Sequence, residues 1–280
     1  MAVISSLNVI ADTSNAPWNV DIAPFQITDQ IYYVGNAWVG AYLIVTTDGL
    51  ILLDTMCAET AYLLVDHIYR LGFSPRDLKM ILVSHAHVDH FGGAQMLKKL
   101  SGAQLWLSEE DDLFRFDERA ANAAASRPGD IIMRPYPFDV DQHYSDTEPI
   151  VLGDVTIRTK LTPGHTPGVT TFFITAKQSN GELLTAAMHG GVGVLTMQNA
   201  YFEESGQPRS LRTRFIQDCK TMEDATVDIC LPSHPAHYPG NFFELSRQTA
   251  ADGNPFVDKT AWKRFLIQRA KPAQDMENGI

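Results

Sequence analysis

The sequence lacks the usual means of stapling a small fold or of crossing a membrane. Only three cysteines occur in 280 residues, Cys57, Cys219 and Cys230. They are too few and too scattered for a disulfide framework or an all-thiolate zinc site, and read as reduced core residues. No apolar run approaches the ~20 residues that span a bilayer, so no membrane partner is expected. Positive charge is scarce as well: 22 Lys+Arg against 33 Asp+Glu leaves a formal charge of −11. Phosphate binding needs clustered Lys and Arg, so the balance argues against nucleic acid. Met1 to Trp18 lacks the basic and long apolar regions of a signal peptide, Ala2-Val3-Ile4 being too short. The expected address is the periplasm if a signal was removed before this numbering, and the cytoplasm otherwise.

What remains is an ordinary globular balance, 45% apolar and 20% charged, on a chain long enough to bury a core unaided. Strand-like runs at 31–34, 41–45 and 50–53 are β-branched or aromatic and separated by Gly35, Gly40 and Gly49. Thr47-Asp48-Gly49 reads as a hairpin turn. The spacing of Leu63, Leu64, Ile68 and Leu71 predicts a helix over 59–71, stopped by Gly72. A buried-type strand at 78–83, a helix at 92–100 and a strand at 104–107 follow. Residues 109–149, acidic and punctuated by Pro128, Pro135, Pro137 and Pro149, read as a helix plus a surface excursion. Further strands are expected at 150–152, 155–161, 169–174, 182–187 and 227–231, with helices at 209–222 and from 259 to about 269. Strands flanked by helices in both halves, with no linker, predict one α/β domain over 1–280, sheets sandwiched by helices, with an N-terminal arm at 1–25.

The nine histidines are unevenly spread. Ser84-His85-Ala86-His87-Val88-Asp89-His90 lies directly after a buried strand, where open α/β sheets place ligand sites. His85 and His87 can present two imidazoles to one metal, while Asp89 and His90 point elsewhere and can serve a second. Imidazole and carboxylate suit zinc. Thr162-Pro163-Gly164-His165-Thr166-Pro167-Gly168 is a second sharp loop between strands, rigidified by proline and glycine. Leu231-Pro232-Ser233-His234-Pro235 is a third loop after an apolar strand.

Taken together, the His85-to-His90 motif, Gly164-His165-Thr166 and His234 resemble the metallo-β-lactamase superfamily of αββα binuclear zinc hydrolases. Pro24-Phe25-Gln26-Ile27, Ile31-Tyr32-Tyr33-Val34-Gly35 and Asn254-Pro255-Phe256-Val257-Asp258 are similar to subclass B3 enzymes. The resemblance implies an αββα four-layer sandwich and two zinc ions. His85, His87 and His165 would bind the first, and Asp89, His90 and His234 the second. It also implies a small-molecule substrate, a β-lactam above all, and hence a role in antibiotic resistance. A zinc-bound hydroxide would open the amide, with Asp89 orienting it and shuttling the proton. The alternative is a B3-like hydrolase of another small cyclic amide, lactone or ester. A zinc-binding protein without turnover is a further rival, and the sequence leaves oligomeric state open.

Many other superfamily hydrolases carry a metal-bridging aspartate at the end of the strand after the Gly-His-Thr loop. Here the strand at 182–187 ends in Met188-His189-Gly190-Gly191, which favours the B3 pattern. His189 stands near the position of a B3 serine. It could be an extra metal ligand, a donor to substrate or water, or a structural residue. The 190–193 stretch lacks the serines that contact substrate carboxylates in the family. His237 reads as a loop residue, His67 and His143 as solvent-facing, and Trp38 as part of a flap over the site or as a core or surface residue.

Overall fold

The computed structural model describes residues 17–125, 137–248 and 253–280. Residues 1–16 of the Met1-to-Trp18 stretch read for a signal peptide, and Pro128 and Pro135 of the excursion, lie outside them. The first half builds a seven-stranded sheet in sequential order: β1 (Phe25–Gln26), β2 (Ile31–Tyr33), β3 (Tyr42–Thr46), β4 (Gly49–Leu53), β5 (Leu78–Leu82), β6 (Gln104–Leu107) and β7 (Gln142–His143). Its first four strands are antiparallel, and β4 to β7 run parallel. The parallel crossovers carry α1 (Tyr62–Arg70), α2 (Val88–Phe91), α3 (Ala94–Ser101), α4 (Glu109–Phe114) and α5 (Glu118–Ala125).

The second half forms a five-stranded sheet from β8 (Ile150–Leu152), β9 (Val155–Leu161), β10 (Thr170–Lys177), β11 (Leu183–His189) and β12 (Ile229–Cys230), in the order β12-β11-β10-β9-β8. Its helices are α6 (Asn199–Ser205), α7 (Ser210–Met222), α8 (Phe242–Leu245) and α9 (Ala261–Glu277). Alternation decides the layers. Ile44, Ile51, Leu53 and Leu82 face Ile157, Phe172 and Ile174 across the two sheets. Leu43, Leu52, Ile81 and Val83 point the other way, onto Leu63, Leu64 and Ile68 of α1 and Leu97 of α3. On the far side, Phe215 of α7 and Trp262 and Phe265 of α9 cover the second sheet. The result is the expected helix–sheet–sheet–helix sandwich.

Four local expectations are corrected. Within 109–149 the described residues are more than a helix and a surface excursion: they form α4, α5 and β7, and β7 joins the first sheet beside β6. Strand β11 runs on through Met188 and His189, because Thr171 and Phe172 of β10 continue the ladder opposite them. The last helix reaches Glu277, since Arg212 and Thr213 of α7 bond its final carboxylate. His67 is fully buried rather than solvent-facing. Its Nδ1 donates to the Val34 carbonyl at 2.7 Å, and its Nε2 meets Asp21 at 2.7 Å, tying the N-terminal segment to α1. His143 is exposed as expected, and bonds Asp112.

Candidate metal centre

Three loops carry the candidate ligands, and each leaves the end of a strand. The chain departs β5 at Leu82, passes His85 and His87, and enters α2 with Asp89 and His90 in its first turn. His165 lies in the tight connection between β9 and β10, where Gly164 packs onto the Phe215 ring so closely that an added Cβ would sit 2.7 Å from the Phe215 Cβ. His234 follows β12 and opens a short turn at Pro235–His237.

These loops converge into two groups of three. One comprises His85, His87 and His165, the other Asp89, His90 and His234; within each, one ligand-type atom per residue lies within 4.8 Å of the others. In the first, His87 Nδ1 stands 3.2 Å from His85 Nε2 and 2.9 Å from His165 Nε2. In the second, Asp89 Oδ2 is 3.4 Å from both His90 Nε2 and His234 Nε2. Among the described residues no aspartate bridges the two groups: Asp218 pairs with Arg214 and Asp228 accepts from the Thr185 amide.

On His90, His165 and His234 the nitrogen facing away from the centre is engaged, which fixes the atom each of these rings presents inward. His165 Nδ1 donates to the Gly193 carbonyl at 2.7 Å, and His234 Nδ1 to the Trp38 carbonyl at 2.7 Å. His90 Nδ1 bonds the Asp54 carboxylate at 2.6 Å. The glycines at 191 and 193 have a steric purpose here: a Cβ on either would stand 3.0 Å from the His165 ring. Burial, and for His85 the neighbouring imidazoles, pushes His85 and His165 well below the usual histidine range, and burial lowers His87 to about 4. Neutral imidazole is the ligand form, so the donor chemistry fits a borderline cation such as zinc. Burial opposes both charges of the Asp89–His90 pair, yet the two hold each other ionised, with Asp54 also acting on His90. A cation seated there competes with the His90 proton.

Asp54 and Ser84 belong to the site although sequence reasoning passed over them. Asp54 accepts from the Ser84 amide, the Ser84 hydroxyl and His90, and is itself fully buried. It adopts a left-handed backbone with φ 62°, as does Met56 with φ 56°. Non-glycine residues rarely adopt that conformation, and such strain of about 1–3 kcal/mol each clusters at functional sites. Between them Thr55 donates from its amide and its hydroxyl to the His90 carbonyl. The signal was present as a polar Asp-Thr pair capping the apolar run 50–53.

His189, by contrast, joins neither group of three. It is buried at the end of β11 with its ring 5.7 Å from that of Phe215, its Nδ1 accepting from the Gly191 amide at 3.3 Å. Met188, beside it, is buried in the core between the sheets. His237 sits in the short turn after His234, its ring 5.2 Å from the His234 ring. Trp38 packs its ring 5.3 Å from His234 on one side and 6.0 Å from Trp18 on the other. A cleft opens beside the first group, lined by Ala86, His87, Val88, Phe91, Phe114, Arg115 and Tyr201. It is largely apolar, with the Asp117 carboxylate and the Arg115 guanidinium, stacked on Phe116 and Phe138, also in its lining.

Known proteins share this architecture. The fold matches a subclass B3 metallo-β-lactamase of Bradyrhizobium japonicum with a TM-score of 0.82 and 26% identity, covering 94% of this chain and 97% of that one. A native metallo-β-lactamase from Legionella gormanii matches with a TM-score of 0.79 and 27% identity, over 93% and 97%. Among sequence relatives, an N-acyl homoserine lactonase of Agrobacterium fabrum is 32% identical over 123 residues, which is 43% of this chain and 45% of that protein. The chain thus spans less than half the length of that lactonase. A probable metallo-hydrolase of Bacillus subtilis is 22% identical over 227 residues, 80% of this chain and 95% of that protein. The family model of the metallo-beta-lactamase superfamily matches residues 39–178, half of the chain and the segment holding five of the six clustered residues. The protein belongs to the metallo-β-lactamase superfamily.

Proposed function

We propose that the protein is a binuclear zinc hydrolase of the B3 type that opens the amide of a β-lactam. The observation that carries this is the pair of three-residue ligand sets, with the candidate ligands of both on strand-end loops of one edge. His85, His87 and His165 would hold one zinc, and Asp89, His90 and His234 the other. Two zinc ions would supply Lewis acidity toward the carbonyl and a nucleophile at neutral pH.

The chain's own residues orient the reaction. Asp89 lies between His90 and His234, its Oδ2 3.4 Å from the Nε2 of each, and as a carboxylate it is an acceptor. From that place it accepts a hydrogen bond from the attacking water and hands the proton to the leaving nitrogen. No serine or cysteine nucleophile is required, and no covalent acyl-enzyme forms. The largely apolar cleft beside His87, with Phe91 and Phe114 in its lining, suits a non-polar substituent of the substrate.

Asp89→Ala is expected to lower turnover by about 10²–10⁴-fold, the range for a lost proton-transfer group, with an unchanged circular dichroism spectrum. Turnover within a few-fold of the parent, measured on purified zinc-loaded protein, contradicts the assignment. A second reading has its own support. The Agrobacterium relative is a lactonase, and the same ligand sets and cleft would serve a lactone with an apolar acyl chain. Parallel assays on a cephalosporin and an N-acyl homoserine lactone separate the two.

A further inference from the structure

Asp111 is a buried carboxylate in the most acidic turn of the chain. Its neighbours Glu109 and Glu110 are exposed, yet Asp111 is inaccessible to solvent. The helix start does not need it, because Ser108 caps α4 by accepting from the Asp111 amide at 3.2 Å. Its side chain turns instead to two other loops. One oxygen accepts from the Ala86 amide and the Thr166 hydroxyl, each at 2.7 Å; the other accepts from the Gly168 amide at 2.7 Å. Ala86 lies between His85 and His87, Thr166 follows His165, and Gly168 closes that loop. Ser108 adds a bond to the Gly168 carbonyl at 2.7 Å. An added Cβ on Gly168 would stand 2.5 Å from the Asp111 nitrogen, so the two segments are in direct contact.

We propose that Asp111 is the positioning residue of the first metal. It fixes the spacing between the His85/His87 loop and the His165 loop, so that removing its carboxylate loosens the three-imidazole set and spares the other. The Asp89–His90–His234 set has its own brace in Asp54, and Asp111 bonds none of its members. The inference rests on the binuclear reading above. An amide cannot replace the carboxylate, because all three partners are donors and Asn would turn an NH₂ group toward one of them. Burial raises the Asp111 carboxyl to about 6 despite these bonds, a cost that a helix cap alone does not explain.

The test compares the parent, Asp111→Asn, Thr166→Val and Thr166→Ser, each loaded with zinc and separately with cobalt(II). Metal per chain is followed through graded chelator, with circular dichroism as the check on fold. The parent should retain two metals. Asp111→Asn should release one of them at about 10- to 100-fold lower chelator, the effect of losing an outer-shell partner, and the second at the parent's concentration. Its cobalt spectrum should lose the bands contributed by the three-histidine site. Thr166→Val should shift the same metal less, and Thr166→Ser should restore it. Both metals weakened equally, or neither, overturns the proposal. If Asp111→Asn does not fold, equal retention by Thr166→Val and Thr166→Ser overturns it. A parent that holds fewer than two metals contradicts the binuclear reading itself, and the role of Asp111 with it.

Discussion

At the scale of residues, a histidine's use is decided by what its outer nitrogen touches. His165 and His234 give theirs to backbone carbonyls, and His90 gives its own to Asp54, so all three turn the other nitrogen toward the clustered ligands. His189 has a different environment: Nε2 is buried without a partner, and the ring rests on Phe215. Burial lowers its pKa from 6.5 to about 3. As pH falls below 6.5 the unfolded chain takes up a proton that the folded ring refuses. Stability from this group is therefore complete above about pH 6.5 and drains away toward pH 3. His189→Leu should remove that loss, so that by pH 4 the stability gap between parent and variant has moved by roughly 3 kcal/mol in the variant's favour relative to pH 7. Urea unfolding at the two pH values measures it; a gap independent of pH contradicts the burial account. The six clustered residues were legible because ligand types repeat at short spacing after apolar strands. Asp54 and Asp111 were not, since a lone aspartate in sequence looks the same whether it faces solvent or braces a loop.

At the scale of elements, the long strands and the helices with an apolar stripe were legible because periodicity and glycine stops mark them. Strand β6 and strands β8 and β9 have the bounds expected from sequence. The misplacements share a cause: tertiary partners extended or recruited segments whose own pattern is weak. Strand β7 has only Gln142 and His143, and pairs with β6 because the Asp141 carboxylate accepts from the Leu105 amide alongside. The same dependence on partners governs the site loops. Gly40 donates its amide to the Ser233 carbonyl at 2.8 Å, and a Cβ there would stand 2.4 Å from the Pro232 carbonyl. Gly40→Ala should thus push the His234 loop outward and weaken the second metal by about tenfold, leaving the first in place. Chelator titration of the cobalt-loaded variant reads both sites; loss of the first metal ahead of the second would show that the loop contact is not what holds His234.

At the scale of the whole molecule, each ligand set draws on both halves of the chain. His165 joins His85 and His87 across the two sheets, as His234 joins Asp89 and His90. A bound metal is therefore a cross-link between the halves, and it stabilises the fold by mass action. Free zinc at about 1,000 times its dissociation constant contributes about 4 kcal/mol per site. Chelation should lower the melting temperature measurably without changing the secondary structure, and a melting temperature indifferent to chelator contradicts the placement of metals between the halves. No helix among the described residues is long and apolar enough to cross a membrane, and the charge of −11 fits a small-molecule substrate better than a polyanion.

The most direct test of the central claim is hydrolysis of a cephalosporin that changes colour on ring opening, by zinc-loaded protein of known metal content, with and without chelator. The expected result is turnover that chelator abolishes and added zinc restores. Two bound zinc ions per chain with no ring opening would contradict the β-lactam assignment.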